Sequence, residues 1–495
     1  MERQFPLLPA DRPWHRQFRI GRHDGSDRGN TAGRWCLELL DDRVANKDGP
    51  WISDILDGSG RKIGVFLGIG IDYKSGRLST SPLRFDLPSE PSRRDQAVEE
   101  FLYRFGGSWL CLLAADGMER IYLDANGTLS LVYDPAGQMA ASSAGLLLHD
   151  AAYTARFDGD LYAALDVAGE GWFPSGLTAH KGIERLLCNH YLDLAVFQPK
   201  RHWPATDFPH DGSTEESAFK VAAIVRRQAE ALLGRGKVVV ALTGGNETRF
   251  LLAAYKPLIK DLTFVTVSAP STERDVVLAK VLAERFGLRH RLLPLQEATQ
   301  AEQDAWLYAT GHCVTGPNMV SHPTIRPLQR EFDFFLGGLG GEIGRAFFWR
   351  GSDTAGMALP VADLVPRFGM PVAEPVNTAT AQWLEGVKNF NALTQLDLAY
   401  MELRMSAWSA AQTYAQAFVN HLHPLIAREI YTLMLNLPPD AKRGNLLIKS
   451  AIEQSWPELG AIPINRYGDY RDLMHSVLRA TDHKRVAKKL RKLFG

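Results

Sequence analysis

The stretch Lys237-Val238-Val239-Val240-Ala241-Leu242-Thr243-Gly244-Gly245-Asn246-Glu247-Thr248-Arg249 decides how this chain reads. Its first six residues form a short, apolar, β-branched run, the pattern of a strand buried on both faces of a parallel sheet. A polar turn over 243–248 follows, and then a helical pattern as far as Pro257. Two adjacent glycines let backbone N–H groups turn inward and admit a ligand close to the main chain. The positive end of the helix favours an anion there. Hydroxyls on Thr243 and Thr248 add hydrogen bonds, and the Glu247 carboxylate suits a divalent cation that neutralises phosphate charge. The turn is not a Walker A loop, because Gly236-Lys237 precedes the strand instead of following it.

Working outward, the pattern alternates helix and strand. Ser213 with Glu216 reads as a capping box, and Phe219, Ala222, Ala223, Ala229, Leu232 and Leu233 fall on one face of the helix that follows. Strands are expected over 262–267, 289–295 and 332–336. A helix capped by Thr272 and Asp275 is expected to end at Gly287. Such an order implies a parallel sheet with right-handed crossovers. Ligands on these sheets sit beyond the carboxyl ends of the strands, so the loops after Leu242, Val267 and Leu336 are the places for chemistry. The loop after Leu336 carries a second glycine cluster, Gly337-Gly338-Leu339-Gly340-Gly341, followed by Glu342 and Arg345. Two acidic, glycine-rich loops at one sheet edge predict a shared Mg²⁺–phosphate site.

The first half reads differently. Short strand-like runs at 62–67, 108–113, 120–123 and 129–133 surround one helical pattern at 95–105, and Asn126-Gly127 signals a hairpin turn between the last two strands. Residues 201–212, with three prolines in the surrounding 199–212, read as a linker. The domains expected are therefore 1–200 and 213–495, since 495 residues exceed what one core usually organises.

Composition narrows the function classes. Lys plus Arg (56) equals Asp plus Glu (56), which removes a broad electrostatic case for binding nucleic acid. Cys36, Cys111, Cys188 and Cys313 form no CxxC pair, so neither a disulfide scaffold nor a zinc ribbon is indicated. No apolar run approaches the roughly 20 residues of a membrane span, and the N-terminal residues lack a signal-peptide pattern. A soluble, cytoplasmic protein is expected. His421-Leu422-His423 reads as surface or packing histidines, because i and i+2 do not share a helical face. Phe347-Phe348-Trp349 reads as core or as lining of an acceptor pocket. The basic run 484–493 reads as a solvated terminal helix.

As an ordered set these motifs resemble the asparagine synthetase family. Strand–TGGNETR–helix is similar to that family's pyrophosphatase loop SGGxDS, and 336–342 to its second acidic loop SGEGADE. Residues 272–290 look like its next helix, and 424–437 and 461–468 like its helical part and late basic loop. In the first half, 123–133 resembles the glutaminase-type "RDxxGxxPLYY", and 177–194 the segment that joins the two halves. The resemblance implies an α/β protein. Its first domain would be an N-terminal Ntn-type α/β/β/α sandwich. The second would be a C-terminal adenine-nucleotide α-hydrolase-like (PP-loop) domain, a doubly wound parallel sheet with extra helices.

It also implies ATP and Mg²⁺ as cofactors and an AMP-forming amide ligase reaction. Carried over, Thr243, Gly244, Gly245 and Thr248 bind phosphate, with Asn246 and Arg249 in the same nucleotide-binding loop. Leu242, Val267, Gly337 and Gly338 contact the nucleoside, and Glu247 and Glu342 stand at the two metal-linked aspartates. Arg466 stands where the family has its late catalytic lysine, with Lys449 and Lys442 nearby as substitutes.

Three departures shape the expectation. Residue 2 is Glu2, where family glutaminases have a nucleophilic cysteine, so the first domain is expected to be a degenerate glutaminase. Nitrogen would then come from ammonia, a partner protein or an amine on the acceptor, as in the family's lactam-forming, peptide-cyclising and surface-polysaccharide members. Both metal aspartates are glutamates, which keep charge and oxygen but move them out by one methylene. Arg466 stabilises negative charge but does not readily transfer a proton. The expected partners are a small-molecule or peptide carboxylate and an amine or ammonia donor. A homodimer or a biosynthetic partner protein stays open. The alternative reading is a catalytically silent nucleotide-binding scaffold.

Overall fold

Apolar residues at alternate positions of the long strands Lys62–Asp72 and Phe105–Ala115 point to opposite faces, and both faces are covered. These strands pair antiparallel from Gly64↔Leu113 to Asp72↔Phe105, at the centre of an eight-stranded sheet. On one face, Val65, Leu67, Leu110 and Leu112 meet Phe18, Ile20 and Leu37 of a second, six-stranded sheet. On the other, Phe66, Trp109 and Cys111 meet Val98, Phe101 and Leu102 of the helix Pro91–Leu102. The outer face of the six-stranded sheet packs Val132 and Ala141 against Leu146, Leu147 and Tyr153, the last from the helix Asp150–Arg156. The first half is thus four layers: helix, sheet, sheet, helix. The computed structural model describes residues 17–23, 30–40, 52–79, 82–169, 171–415 and 420–473. Glu2 and the basic run 484–493 lie outside the described residues.

The expected hairpin at Asn126-Gly127 is not one. Met118–Leu123 belongs to the eight-stranded sheet and Val132–Asp134 to the six-stranded sheet, so this turn carries the chain from one layer to the other. Buried Asp124 organises it, accepting from the Asn126, Thr128 and Trp109 amides.

In the second half the elements of the parallel layer are numbered in chain order. They are α1 (Thr214–Leu233), β1 (Val238–Ala241), α2 (Asn246–Ala254), β2 (Thr263–Ser268), α3 (Glu273–Phe286), β3 (His290–Pro294), β4 (Phe334–Leu336) and β5 (Asn420–Leu422). All pairings are parallel and the order across the sheet is β3-β2-β1-β4-β5. The order reverses between β1 and β4. At such a switch point the following loops diverge to opposite faces and leave a crevice. Ser213 caps α1 by accepting from the Glu216 amide at 3.2 Å, while Glu216 itself pairs with Lys220. Phe219, expected on the apolar face of α1, is 65% exposed, because the helix packs through Val221, Ala222, Val225 and Ala229. Among the described residues no helix is long and apolar enough to cross a membrane.

The stretch expected as a linker is held at several points. The strand Gln198–Arg201 pairs with His190–Asp193, and Arg201 donates both outer guanidinium nitrogens to Glu402 at 2.7 Å. Further on, Asp207 accepts from the Asn391 amide and side chain. Glu402 lies on a π-helical turn, Tyr400–Met405, and also accepts from Asn189 Nδ2 and Trp383 Nε1. Beside it, Arg428 binds Glu99 and Asn189 and lies over the Tyr103 and Trp203 rings. Residues from both halves share one hydrophobic core, including Ile69, Ile71 and Phe173 with Val225, Leu403 and Ile430.

Candidate functional site

Each loop at the switch point is shaped by what its glycines lack. A Cβ on Gly244 would lie 2.3 Å from Leu278 Cδ1, so the bare backbone lets α3 close on the first loop. A Cβ on Gly338 would lie 3.0 Å from Glu247 Cβ, and one on Gly341 2.7 Å from Glu247 Cγ. The two loops are therefore in van der Waals contact, and Glu247 is the residue around which they close. Gly340 adopts φ +108°, a conformation glycine tolerates and side-chain-bearing residues avoid.

The first loop is hydrogen-bonded within itself. Thr243 Oγ1 lies 2.8 Å from Thr248 Oγ1 and accepts from the Gly245 amide at 3.1 Å. The Gly244 amide donates to Asp275 Oδ1 at 2.8 Å. Asp275 was expected to cap α3, but it reaches across to the loop, and Thr272 bonds Val267 O and the Ala269 amide. Gly245 gives α2 no side-chain cap, so its first-turn amides are left for another acceptor. Asn246 Oδ1 accepts from Asn445 Nδ2 at 2.8 Å, which ties the loop to the start of the helix Leu446–Ser455.

Glycine at 244 makes a checkable demand. Gly244→Ala should overpack the contact with Leu278 and lower stability by about 1–3 kcal/mol. Urea unfolding measures this, and the same change made in a Leu278→Ala background, compared with Leu278→Ala alone, should cost clearly less.

Arg249 was expected to face the nucleotide, and the structure turns it away. Its guanidinium is fully buried and donates to the carbonyls of Leu459, Ile462 and Pro463 at 3.2, 2.8 and 3.2 Å. With the Asn465 amide donating to Gly244 O at 2.8 Å, these bonds dock the late basic loop against the first glycine loop. Arg466, the next residue, is exposed beside that contact. Lys449 is exposed on the helix Leu446–Ser455. Lys442 is not available as a substitute, since it is wholly buried in an ion pair with Asp397.

Of the residues expected at the nucleoside, Leu242 is buried and its carbonyl accepts from Thr266 Oγ1. Val267 and Gly338 are half-buried. Gly337 is covered, because a Cβ there would lie 2.7 Å from His423 and 2.8 Å from His421. Those histidines flank Leu422 at the end of β5, where i and i+2 share a face, so the helical argument against their proximity does not apply. Their rings are 4.3 Å apart and His423 Nδ1 accepts from the Leu339 amide at 3.3 Å. Burial pushes His423 down to about 4, so it is neutral at physiological pH. They are packing histidines under the second glycine loop. Phe348 is core, whereas Phe347 is 39% exposed, between the Arg345 and Arg404 guanidinium groups.

The acidic pair is where expectation and structure part. Arg345 Nε donates to Glu247 Oε1 at 2.7 Å, and its Nη2 lies 3.8 Å from Glu342 Oε1. Glu342 Oε2 accepts from the Gly340 amide at 3.0 Å. Burial, and then the Glu247 charge, push Glu342 up to about 7. Oxygen donors of this kind suit Mg²⁺, but here both carboxylates are engaged by a guanidinium. In this arrangement they do not fit a divalent ion between them. Among the described residues no group of three or more His, Cys, Asp or Glu side chains is placed to hold a metal. Arg345, visible in the sequence as the end of the second loop, was not among the expected site residues, and its ion pairs with Glu247 and Glu342 place it between the two loops. Two surface cavities of about 460 and 380 Å³ lie elsewhere, lined by residues such as Leu359, Lys388 and Phe390, and Asp207, Lys220 and Thr432.

No family model matches the chain, and no curated protein does. Among solved structures it is similar to an NMN synthetase from Francisella tularensis, at 13% identity and a TM-score of 0.20, over 36% of this chain and 74% of that one. It is also similar to an NH3-dependent NAD synthetase from Campylobacter jejuni subsp. jejuni NCTC 11168, at 13% identity and a TM-score of 0.19, over 35% of this chain and 74% of that one.

Proposed function

We propose that the chain is an ATP-dependent, AMP- and pyrophosphate-forming amide ligase that has no glutaminase activity of its own. In this reading a substrate carboxylate oxygen attacks the α-phosphorus of ATP and pyrophosphate leaves. An amine or ammonia then attacks the acyl carbon of the adenylate, and AMP leaves. The observation that carries the reading is the contact between the two glycine loops at the switch point of a parallel sheet, with an uncapped helix N-terminus between them. Amides of the first turn of α2 and the Thr243 and Thr248 hydroxyls would receive the β and γ phosphates. The guanidinium of Arg466 would stabilise charge on the departing pyrophosphate, and Lys449, close to it in sequence, would be the amine for proton transfer. Acceptor chemistry in natural-product, peptide-cyclisation or surface-polysaccharide synthesis agrees with a nitrogen nucleophile supplied by the acceptor.

The test is carboxylate-dependent exchange of labelled pyrophosphate into ATP across a panel of amino acids, peptides and sugar acids. Exchange with at least one carboxylate is expected. ATP binding with no exchange across the panel selects the silent scaffold, a reading favoured by the burial of Lys442 and by the exposed arginine at 466. No ATP binding at all defeats both.

A further inference from the structure

We propose that the Arg345 guanidinium is the resident cation of the polyphosphate pocket, standing where a divalent ion would have to lie between Glu247 and Glu342. The ligand's identity, a nucleoside triphosphate, rests on the ligase reading. The claim about the cation does not.

Three observations hold Arg345 in that role. Its Nε bonds Glu247 at 2.7 Å and its Nη2 approaches Glu342 at 3.8 Å, so one group serves carboxylates from both loops. Its Cζ lies 5.3 Å from the Phe347 ring centroid, which supports the planar cation from a second side. The second loop closes on the stem of Glu247, since a Cβ added to Gly338 would lie 3.0 Å from Glu247 Cβ and one added to Gly341 2.7 Å from its Cγ, so the stem that carries the carboxylate to Arg345 is held in place. Mg²⁺ demands near-octahedral oxygen geometry at about 2.0–2.1 Å and keeps several waters. A hydrated ion of that kind cannot share this space with the guanidinium. An arginine needs no water shell and stays protonated across the working pH range. Arginine supplied in cis is also an established way to neutralise charge on a transferring phosphoryl group. Glu247 and Glu342 are then positioning residues for Arg345, and their extra methylene relative to aspartate gives the length to reach a side chain instead of an ion.

The experiment uses the full chain, stripped of metal with EDTA. Free Mn²⁺ is followed by electron paramagnetic resonance, with and without a non-hydrolysable ATP analogue. Wild type and Glu247→Gln are expected to take up Mn²⁺ alike, within about twofold, in both conditions. Arg345→Met, which leaves the two carboxylates without a cation, is expected to bind Mn²⁺ at least about tenfold more tightly. In EDTA, ATP-analogue binding to wild type is expected to persist and to weaken about tenfold or more in Arg345→Met, with partial rescue by Arg345→Lys. Uptake of one Mn²⁺ per wild-type chain that Glu247→Gln abolishes would overturn the proposal, and this comparison does not depend on Arg345→Met folding. Unchanged nucleotide affinity in a folded Arg345→Met would also overturn it. If the chain binds no ATP analogue under any condition, the ligase reading fails, while Mn²⁺ uptake without nucleotide still decides the cation's identity.

Discussion

Replacing Glu402 by alanine is expected to cost the fold about 3–5 kcal/mol, because it removes the carboxylate that pairs with the largely buried Arg201. The Glu402 side chain is fully buried and accepts from four donors: two nitrogens of Arg201, the Asn189 amide and the Trp383 indole. Burial alone would raise its pKa, but Arg201's charge and hydrogen bonds outweigh that and keep it below the ordinary glutamate value. Alanine leaves Arg201, itself 14% exposed, with a desolvated charge and also strands two neutral donors. The shift should appear in the midpoint of urea unfolding followed by tryptophan fluorescence.

Two controls separate an uncompensated charge from lost packing. Arg201→Met combined with Glu402→Leu removes both charges, and its loss should be clearly smaller than that of Glu402→Ala. Glu402→Gln keeps the size and one acceptor oxygen but presents an NH₂ group to the guanidinium, so it should fall between the two. A Glu402→Ala chain with a wild-type midpoint would show that the pair contributes little to joining the halves.

That joint marks the limit of what the residues disclosed in linear order. β1, its glycine turn and α2 were legible because each is a local pattern: a β-branched run, a turn that needs glycine, and a helix start. The expected strand 237–242 and the observed Val238–Ala241 differ only at their ends. The second acidic loop was legible for the same reason. What was not legible depends on contacts distant in sequence. Arg249 follows the loop directly, yet its partners are carbonyls more than two hundred positions away. Asn126-Gly127 has the chemistry of a hairpin turn, and only the pairing of its flanking strands to different sheets shows otherwise. His421 and His423 were judged by helical spacing, and in a strand the same spacing brings them together. Arg345 could be counted but not assigned, since its ion pair with Glu247 exists only once the switch point closes.

Lys442 gives the sharpest separation between a structural and a catalytic lysine. Its side chain is fully buried, ion-paired with Asp397, and 5.0 Å from the Trp349 ring centroid. Burial pushes Asp397 up to about 6 even against the pull of Lys442, and pushes the Lys442 ammonium down. Lys442→Met keeps the length of the side chain and removes its charge, which should destabilise the fold by about 3–5 kcal/mol at pH 8. The pH dependence follows from the sign of the remaining shift. Without Lys442 the folded pKa of Asp397 rises further above its unfolded value. A carboxyl raised in this way contributes stability that is present below the unfolded pKa and lost as pH rises through the folded one. The variant's deficit should therefore shrink as pH falls from 8 to 5, by at most about 1.4 kcal/mol per unit across that window. Lys442→Met with Asp397→Leu should recover much of the loss at pH 8 and flatten the difference. A deficit that widens toward pH 5 would contradict the assignment. So would a Lys442→Met chain that unfolds like wild type but no longer exchanges pyrophosphate, because that pattern belongs to a lysine acting on substrate.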